Sequence, residues 1–176
     1  SKIHSKISEK FKKRNNIKPS DVWYPDFSRK DITDMSEMFS DADLTGLDLS
    51  HWDTGNVTNI SRMFWKAQNI PKDIGNWNTG KVTNMDGTFS NAQNIPESIG
   101  NWNTSNVTDM NSMFLVVKSI PESIGNWNTS NVKDMNSIFF RAQNIPESIG
   151  NWNTSSVTDM SFMFAEAQNI PKNIGN

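Results

Sequence analysis

The sequence has no cysteine and only two histidines among its 176 residues. The missing cysteine excludes a disulfide framework, thiolate metal sites and cysteine nucleophiles, though not an extracellular location. His4 and His51 lie in different segments, and neither has a Cys or Glu at ligand spacing, so no metal set is expected. No run approaches the ~18 apolar residues of a membrane span. Glycine recurs roughly once per repeat, so there is no Gly-rich phosphate loop, and Val-Thr-Asp-Met lacks the acid spacing of a calcium loop. Serine and aspartate are common because a repeated unit contains them. No catalytic residue, cofactor or metal is expected, and the chain is read as non-enzymatic.

What the sequence does have is a period. Trp52, Trp77, Trp102, Trp127 and Trp152 stand 25 residues apart. Fixed spacing of this kind marks stacked repeats rather than one globular unit with a pocket. The hydrophobic fraction, 35%, is low for a globular core, but its members fall in fixed columns, which favours order over disorder. Phe27 is in phase with the tryptophans and Trp23 is not, which makes residues 26–50 a divergent first copy. Five more follow at 51–75, 76–100, 101–125, 126–150 and 151–175. The reading is a basic helical leader or cap over 1–25 and a six-coil solenoid over 26–176.

The net charge of −2 hides an asymmetry. Residues 1–18 carry seven basic side chains against Glu9 alone, and the remainder carries ten basic against eighteen acidic. Ile3, Ile7 and Phe11, at steps of four, form a helical apolar stripe among lysines. Three apolar residues make a weak membrane anchor, so the segment is read as the end piece that shields the first coil.

Within a coil, Val107, Met110, Met113, Phe114 and Val117 have offsets 0, 3, 6, 7 and 10. That pattern predicts an amphipathic helix of about three turns, capped by Ser105 or Asn106, with Asp109 in its first turn. Ile120-Pro121-Glu122-Ser123-Ile124-Gly125 predicts a short extended segment, with a parallel strand near Ser123-Ile124-Gly125. One strand and one helix per coil give an α/β repeat solenoid, a leucine-rich-repeat-like array curved because strands pack more closely than helices. The column Asn76, Asn101, Asn126 and Asn151 is expected to form a stacked amide ladder. The tryptophan column is read as a packed corner, not a sugar platform.

Leu44-Thr45-Gly46-Leu47-Asp48-Leu49-Ser50-His51-Trp52, followed by Asn56-Val57-Thr58-Asn59-Ile60-Ser61-Arg62-Met63-Phe64, resembles the 25–26-residue repeat of BspA-like leucine-rich repeat surface proteins. That group includes repeat lipoproteins of mycoplasmas and surface proteins of other low-GC bacteria. The likeness covers roughly residues 26–175, through a Trp-x-Thr-x-x-Val-Thr-x-Met-x-x-Met-Phe core. The departure is Ile-Pro-Glu-Ser-Ile-Gly where the family has Phe-Asn-x-x-Ile/Leu. The resemblance implies a leucine-rich-repeat-like solenoid, display at the cell surface or secretion, with or without a lipid anchor, and adhesive or interaction roles. It brings no catalytic residues.

Differences between copies point to where a partner would touch. The two positions after each phenylalanine read Ser40-Asp41, Trp65-Lys66, Ser90-Asn91, Leu115-Val116, Phe140-Arg141 and Ala165-Glu166. Trp65, Lys66, Leu115, Phe140, Arg141 and the out-of-pattern Phe162 are the candidate partner-binding residues. The expected partner is a protein or glycan on another cell, with no nucleic acid. Membrane contact through a removed anchor or the basic arm, and end-to-end self-association, are left open. The alternative function is a structural spacer or self-assembling surface scaffold.

Overall fold

A computed structural model of the chain describes residues 2–18 and 31–174. The phase assignments of Trp23 and Phe27, and the start of the first copy, lie outside the described residues.

The backbone between Val107 and Val117 is not helical, and the cause is Asp109. Its Oδ1 accepts the Asn111 amide at 2.8 Å, a local bond that competes with helix formation. Asn59, Asn84, Asp134 and Asp159 hold Ser61, Asp86, Asn136 and Ser161 in the same way, each at 2.8 Å. The amides of Met110, Ser112, Phe114 and Val116 then leave the copy. They donate to the carbonyls of Asp134, Asn136, Ile138 and Phe140 in the next copy at 2.8–3.0 Å. The alternate amides of Met113, Leu115 and Val117 close tight turns on the carbonyls three residues back. Ser112 and Val116 take φ of 57° and 62°, the left-handed conformation that the third residue of a type II turn requires. The segment is thus a ribbon of overlapping turns whose every second amide bonds its neighbour. Isolated parallel bridges run through one column, Asp34, Asn59, Asn84, Asp109, Asp134 and Asp159.

The strand expected near Ser123-Ile124-Gly125 is also replaced. Glu122–Asn126 is a 3₁₀ helix, as are Lys72–Asn76, Glu97–Asn101 and Glu147–Asn151. Pro121 precedes it at φ −57° and ψ 134°, and the Ile124 and Trp127 amides bond three residues back, to Pro121 and Ile124. The parallel pairing therefore lies in the stretch where a helix is expected, and helical turns lie where a strand is expected. Among the described residues no coil sets an α-helix against a strand, so the expected cause of curvature is missing.

Burial follows the sequence columns even so. Val107, Met110, Met113, Phe114 and Val117 are all buried, as are their equivalents in copies two to five, including Thr88, which fills the second methionine column of copy three. Phe39, Phe64, Phe89, Phe114, Phe139 and Phe164 stack with ring centroids 5.5–6.0 Å apart. Each tryptophan ring lies against the phenylalanine of the preceding copy. The indole N–H groups of Trp77, Trp102, Trp127 and Trp152 donate to Leu49, Ile74, Ile99 and Ile124 carbonyls at 2.8–3.0 Å. Trp77, Trp102 and Trp127 are packed corners, buried between neighbouring copies.

Other columns bond from copy to copy through their side chains. Thr54, Thr79, Thr104 and Thr129 donate their hydroxyls to Asn78, Asn103, Asn128 and Asn153 carbonyls at 2.9–3.2 Å. The amide ladder expected at Asn76, Asn101, Asn126 and Asn151 is not there: these side chains are exposed. Asn106 and Asn131 do that bonding instead, each donating Nδ2 at 2.6 Å to the preceding copy, onto Gly80 and Ser105 carbonyls.

At the N-terminal end, helices α1 (Lys2–Lys6) and α2 (Glu9–Arg14) cover the first described copy. Ser8 caps α2, and Ile3, Ile7, Phe11 and Ile17 are buried in the common core. The Ser8 amide donates to the Met38 carbonyl at 2.8 Å, and Arg14 Nη2 donates to the Ser36 carbonyl at 2.7 Å. Those carbonyls are the counterparts of Met63 and Ser61, which in the next copy take the Phe39 and Glu37 amides. The cap therefore supplies two of the donors that a preceding copy would bring.

The glycine column has a steric cause. A Cβ on Gly125 would lie 2.9 Å from the Ser148 carbonyl oxygen, inside contact distance, and Ser148 is pinned by its own 2.6 Å bond to the Glu122 carbonyl. Gly125→Ala is expected to cost roughly 1–3 kcal/mol, the usual scale of overpacking. Urea unfolding of the two proteins measures it, and equal midpoints would show that the coils can slide apart freely.

Candidate binding surface

The side chains that follow each phenylalanine sit on a fixed backbone. The Lys66, Asn91, Val116 and Arg141 amides donate to Ser90, Leu115, Phe140 and Ala165 carbonyls at 2.8–2.9 Å. Trp65, Ser90, Leu115, Phe140 and Ala165 are therefore neighbours in one column. Trp65, Leu115 and Phe140 are half-buried rather than exposed, while Lys66 and Arg141 are exposed. Each cation lies over the ring before it, Lys66 Nζ at 4.4 Å from the Trp65 ring centre and Arg141 Cζ at 5.1 Å from that of Phe140. Arg141 also pairs with Glu166. Contacts of this kind cover apolar surface and keep the column partly wetted.

Phe162 stands apart. It occupies the left-handed position of copy six, φ 57°, and is 66% exposed. Its column holds Glu37, Arg62, Gly87, Ser112 and Ser137, so nothing in the repeat calls for an aromatic there. Met160, Ile170 and Ile174 of the same copy are exposed as well. Among the described residues, copy six alone presents an uncovered face, lined by Trp152, Met160, Met163, Phe164 and Ile174.

The structure also draws together residues that the sequence reading passed over. Copy three has Gly87 and Ser90 where its neighbours have Arg62 and Ser112, and Trp65 and Leu115. The result is a notch of about 360 Å³ between copies two and four, lined by Arg62, Trp65, Asp86, Ser90, Asn111 and Leu115 among others. Arg62 lies across its floor, with Cγ 3.1 Å from where a Cβ on residue 87 would be. Asn91 Nδ2 donates to Ser90 Oγ at 3.2 Å, and Ser112 Oγ donates to Asn111 Oδ1 at 2.7 Å. The signal was present in the sequence as small residues in both columns of one copy, Gly87 and Ser90, with Trp65 and Leu115 on either side.

Burial sets the charge states here. Asp86 and Asp109 are both pushed above the ordinary carboxyl range, chiefly by desolvation. Asp109 and Asp134 add repulsion at Asp86, which Arg62 partly offsets; at Asp109 the Asn111 amide opposes the shift. Asp159, in the same column as Asp109 but in the last described copy, is instead lowered by its bonds to Ser161. Among the described residues no three His, Cys, Asp or Glu side chains converge as a metal site, and no helix is long and apolar enough to cross a membrane.

The chain as a whole has a counterpart among known families. The family model described as "Mycoplasma protein of unknown function, DUF285" matches residues 5–120 and 86–176. The chain belongs to this family. The two DUF285 matches overlap and together reach from the N-terminal cap into the last copy. Comparison with curated proteins gives no match.

The carboxylate column gives this DUF285 chain a testable pH response. Because the folded Asp109 holds its proton to higher pH than the unfolded one, the group's contribution to stability falls as pH rises through that window. Asn fills the same position at Asn59 and Asn84. Asp109→Asn is therefore expected to raise stability at pH 7, by less than about 1 kcal/mol at this half-exposed site. The gain should vanish below the ordinary carboxyl range. Thermal melts of both proteins across pH 3–7 check it; parallel curves would remove Asp109 from the account.

Proposed function

We propose that this DUF285 chain is a non-enzymatic binding module, secreted or displayed at the cell surface, that contacts host or neighbouring-cell macromolecules. In this reading it is a short leucine-rich-repeat-like solenoid of the BspA-like type, whose repeated motif builds the scaffold and whose free positions carry recognition. One observation supports it most: Trp65, Leu115 and Phe140 vary from copy to copy along a column whose backbone bonds do not. Lys66 and Arg141 give that column charged rims around partly wetted aromatic faces, a mixture suited to a partner contact. Surface or secreted location and the protein or glycan nature of the partner follow from the resemblance of the repeats.

The test is a capture assay of the purified protein on immobilised matrix proteins, glycans and anionic vesicles. The double substitution Trp65→Ala and Phe140→Ala should abolish capture and leave the circular dichroism melt close to that of the parent. Unchanged capture by the double variant removes this surface from the proposal.

A second reading, self-assembly end to end, is favoured by the face of copy six. Its Met160, Phe162, Phe164 and Glu166 amides have the direction that in earlier copies serves the next coil, and its apolar stripe is uncovered. Sedimentation velocity should then show growth with concentration that Met160→Lys with Ile174→Lys suppresses. A monomer at every concentration overturns it.

A further inference from the structure

The notch over Gly87 is set apart from the rest of the column by what lines it. The Arg62 guanidinium and the half-buried Asp86 carboxylate both face it, and neither side chain has a hydrogen-bond partner among the described residues. Asn91, Asn111 and Ser112 bring amide and hydroxyl groups to the same opening, and Trp65 and Leu115 form apolar walls on either side. About 360 Å³ falls at the small end of the range for small-ligand sites.

The charges decide what fits. An anion would meet Asp86 and Asp109, whose carboxylates are already disfavoured there by burial and mutual repulsion. A cation would meet Arg62 within the notch and Lys66 on its rim. A neutral ligand with donors and acceptors on one ring satisfies both unpartnered groups at once, accepting from Arg62 and donating to Asp86. Its apolar C–H face would lie along the indole of Trp65.

We propose that the notch is a subsite for one uncharged pyranose unit of a glycan. The proposal rests on the binding-module reading above and names its ligand class. The repeat itself supplies variants that the fold accepts. Asn111 and Asn136 occupy the Asp86 column, and Phe140 occupies the Ser90 column, so Asp86→Asn removes the carboxylate and Ser90→Phe fills the space without departing from the pattern.

The experiment is a titration of the ¹⁵N-labelled full chain with a panel of methyl pyranosides: glucoside, galactoside, mannoside and N-acetylglucosaminide. At least one should give saturable shifts at the Gly87, Asn91 and Ser112 amides and the Trp65 indole, with a Kd on the order of millimolar. Asp86→Asn should weaken binding about tenfold or more, and Ser90→Phe should abolish it. No saturable shift with any glycoside, or shifts that persist in Ser90→Phe, overturns the proposal. Notch shifts produced by tetra-arginine or tetra-glutamate peptides but by no glycoside overturn it in favour of a charged peptide ligand. The capture assay separates the two levels. Parent protein that is captured through Trp65 and Phe140 but shows no shift with any glycoside sinks the sugar subsite and leaves the module reading standing.

Discussion

The structure depends on one arrangement of the backbone: in each turn ribbon, every second amide bonds the next copy instead of its own. Met110, Ser112, Phe114 and Val116 all donate forward in this way. An amide in an α-helix would bond four residues back, and a coil built of helices would be joined to its neighbour by side chains alone. Here the backbone itself joins the copies, so the stack behaves like a sheet one or two residues wide, repeated along several columns. The cost appears at the left-handed positions. Arg62, Ser112, Ser137 and Phe162 all hold φ of 53–57°, a conformation that side chains other than glycine adopt at a penalty. The forward bonds and the buried Met and Phe beside them must outweigh that penalty in each copy.

This constraint explains how the ends differ from the middle. Within each turn ribbon forward donation sets a direction, with carbonyls facing the N-terminal side and amides facing the other, while at the ribbon's ends amides such as Thr108 and Gln143 donate back to the preceding copy. The N-terminal carbonyls of Ser36 and Met38 are met by Arg14 and Ser8, and the apolar stripe above them by Ile3, Ile7 and Phe11. The last copy has the opposite edge. Its Asp159 is held below the ordinary carboxyl value by its bonds to Ser161, while the equivalent Asp109, held between neighbours, is pushed toward protonation by burial. Two aspartates at the same place in the repeat are thus shifted in opposite directions, one chiefly by burial and the other chiefly by its bonds to Ser161.

Which parts of this were legible in the sequence follows from what a period can encode. The column Val107, Met110, Met113, Phe114 and Val117 is buried as its spacing predicts, because sidedness depends on the steps of three and four. Overlapping turns that close three residues back produce nearly the same steps as an α-helix, so spacing alone does not separate them. The signal that does is Asp109, with Asn59 and Asn84 in the same column, because a side chain that bonds the backbone two residues on diverts the chain from helix. The Ile120 and Ile124 pair misled in the other direction. A step of four with a proline between reads as extended, yet one turn of 3₁₀ helix after Pro121 buries both isoleucines. The candidate surface was half legible. Variation after each phenylalanine located the column of Trp65, Leu115 and Phe140. It did not reveal that these side chains are partly covered, since the cations Lys66 and Arg141 that fold over two of the rings come from the adjacent variable position.

The least legible feature was the one made by subtraction. A search for function in a sequence looks for added groups, such as an unexpected Trp65 or Phe162. In a stack whose backbone is fixed, a small residue is equally informative, because nothing moves in to fill the space it leaves. Gly87 and Ser90 are unremarkable as residues, but between Trp65 and Leu115 they open a notch lined by Arg62 and Asp86. A globular core could relax around such a loss. Here the forward bonds of Arg62 to Asp86 and of Gly87 to Asn111, at 2.8 and 2.7 Å, hold the copies at their spacing whatever the side chains do. A rigid register therefore turns each small substitution on the outer face into a cavity, and an array of this kind can change its ligand without changing its fold.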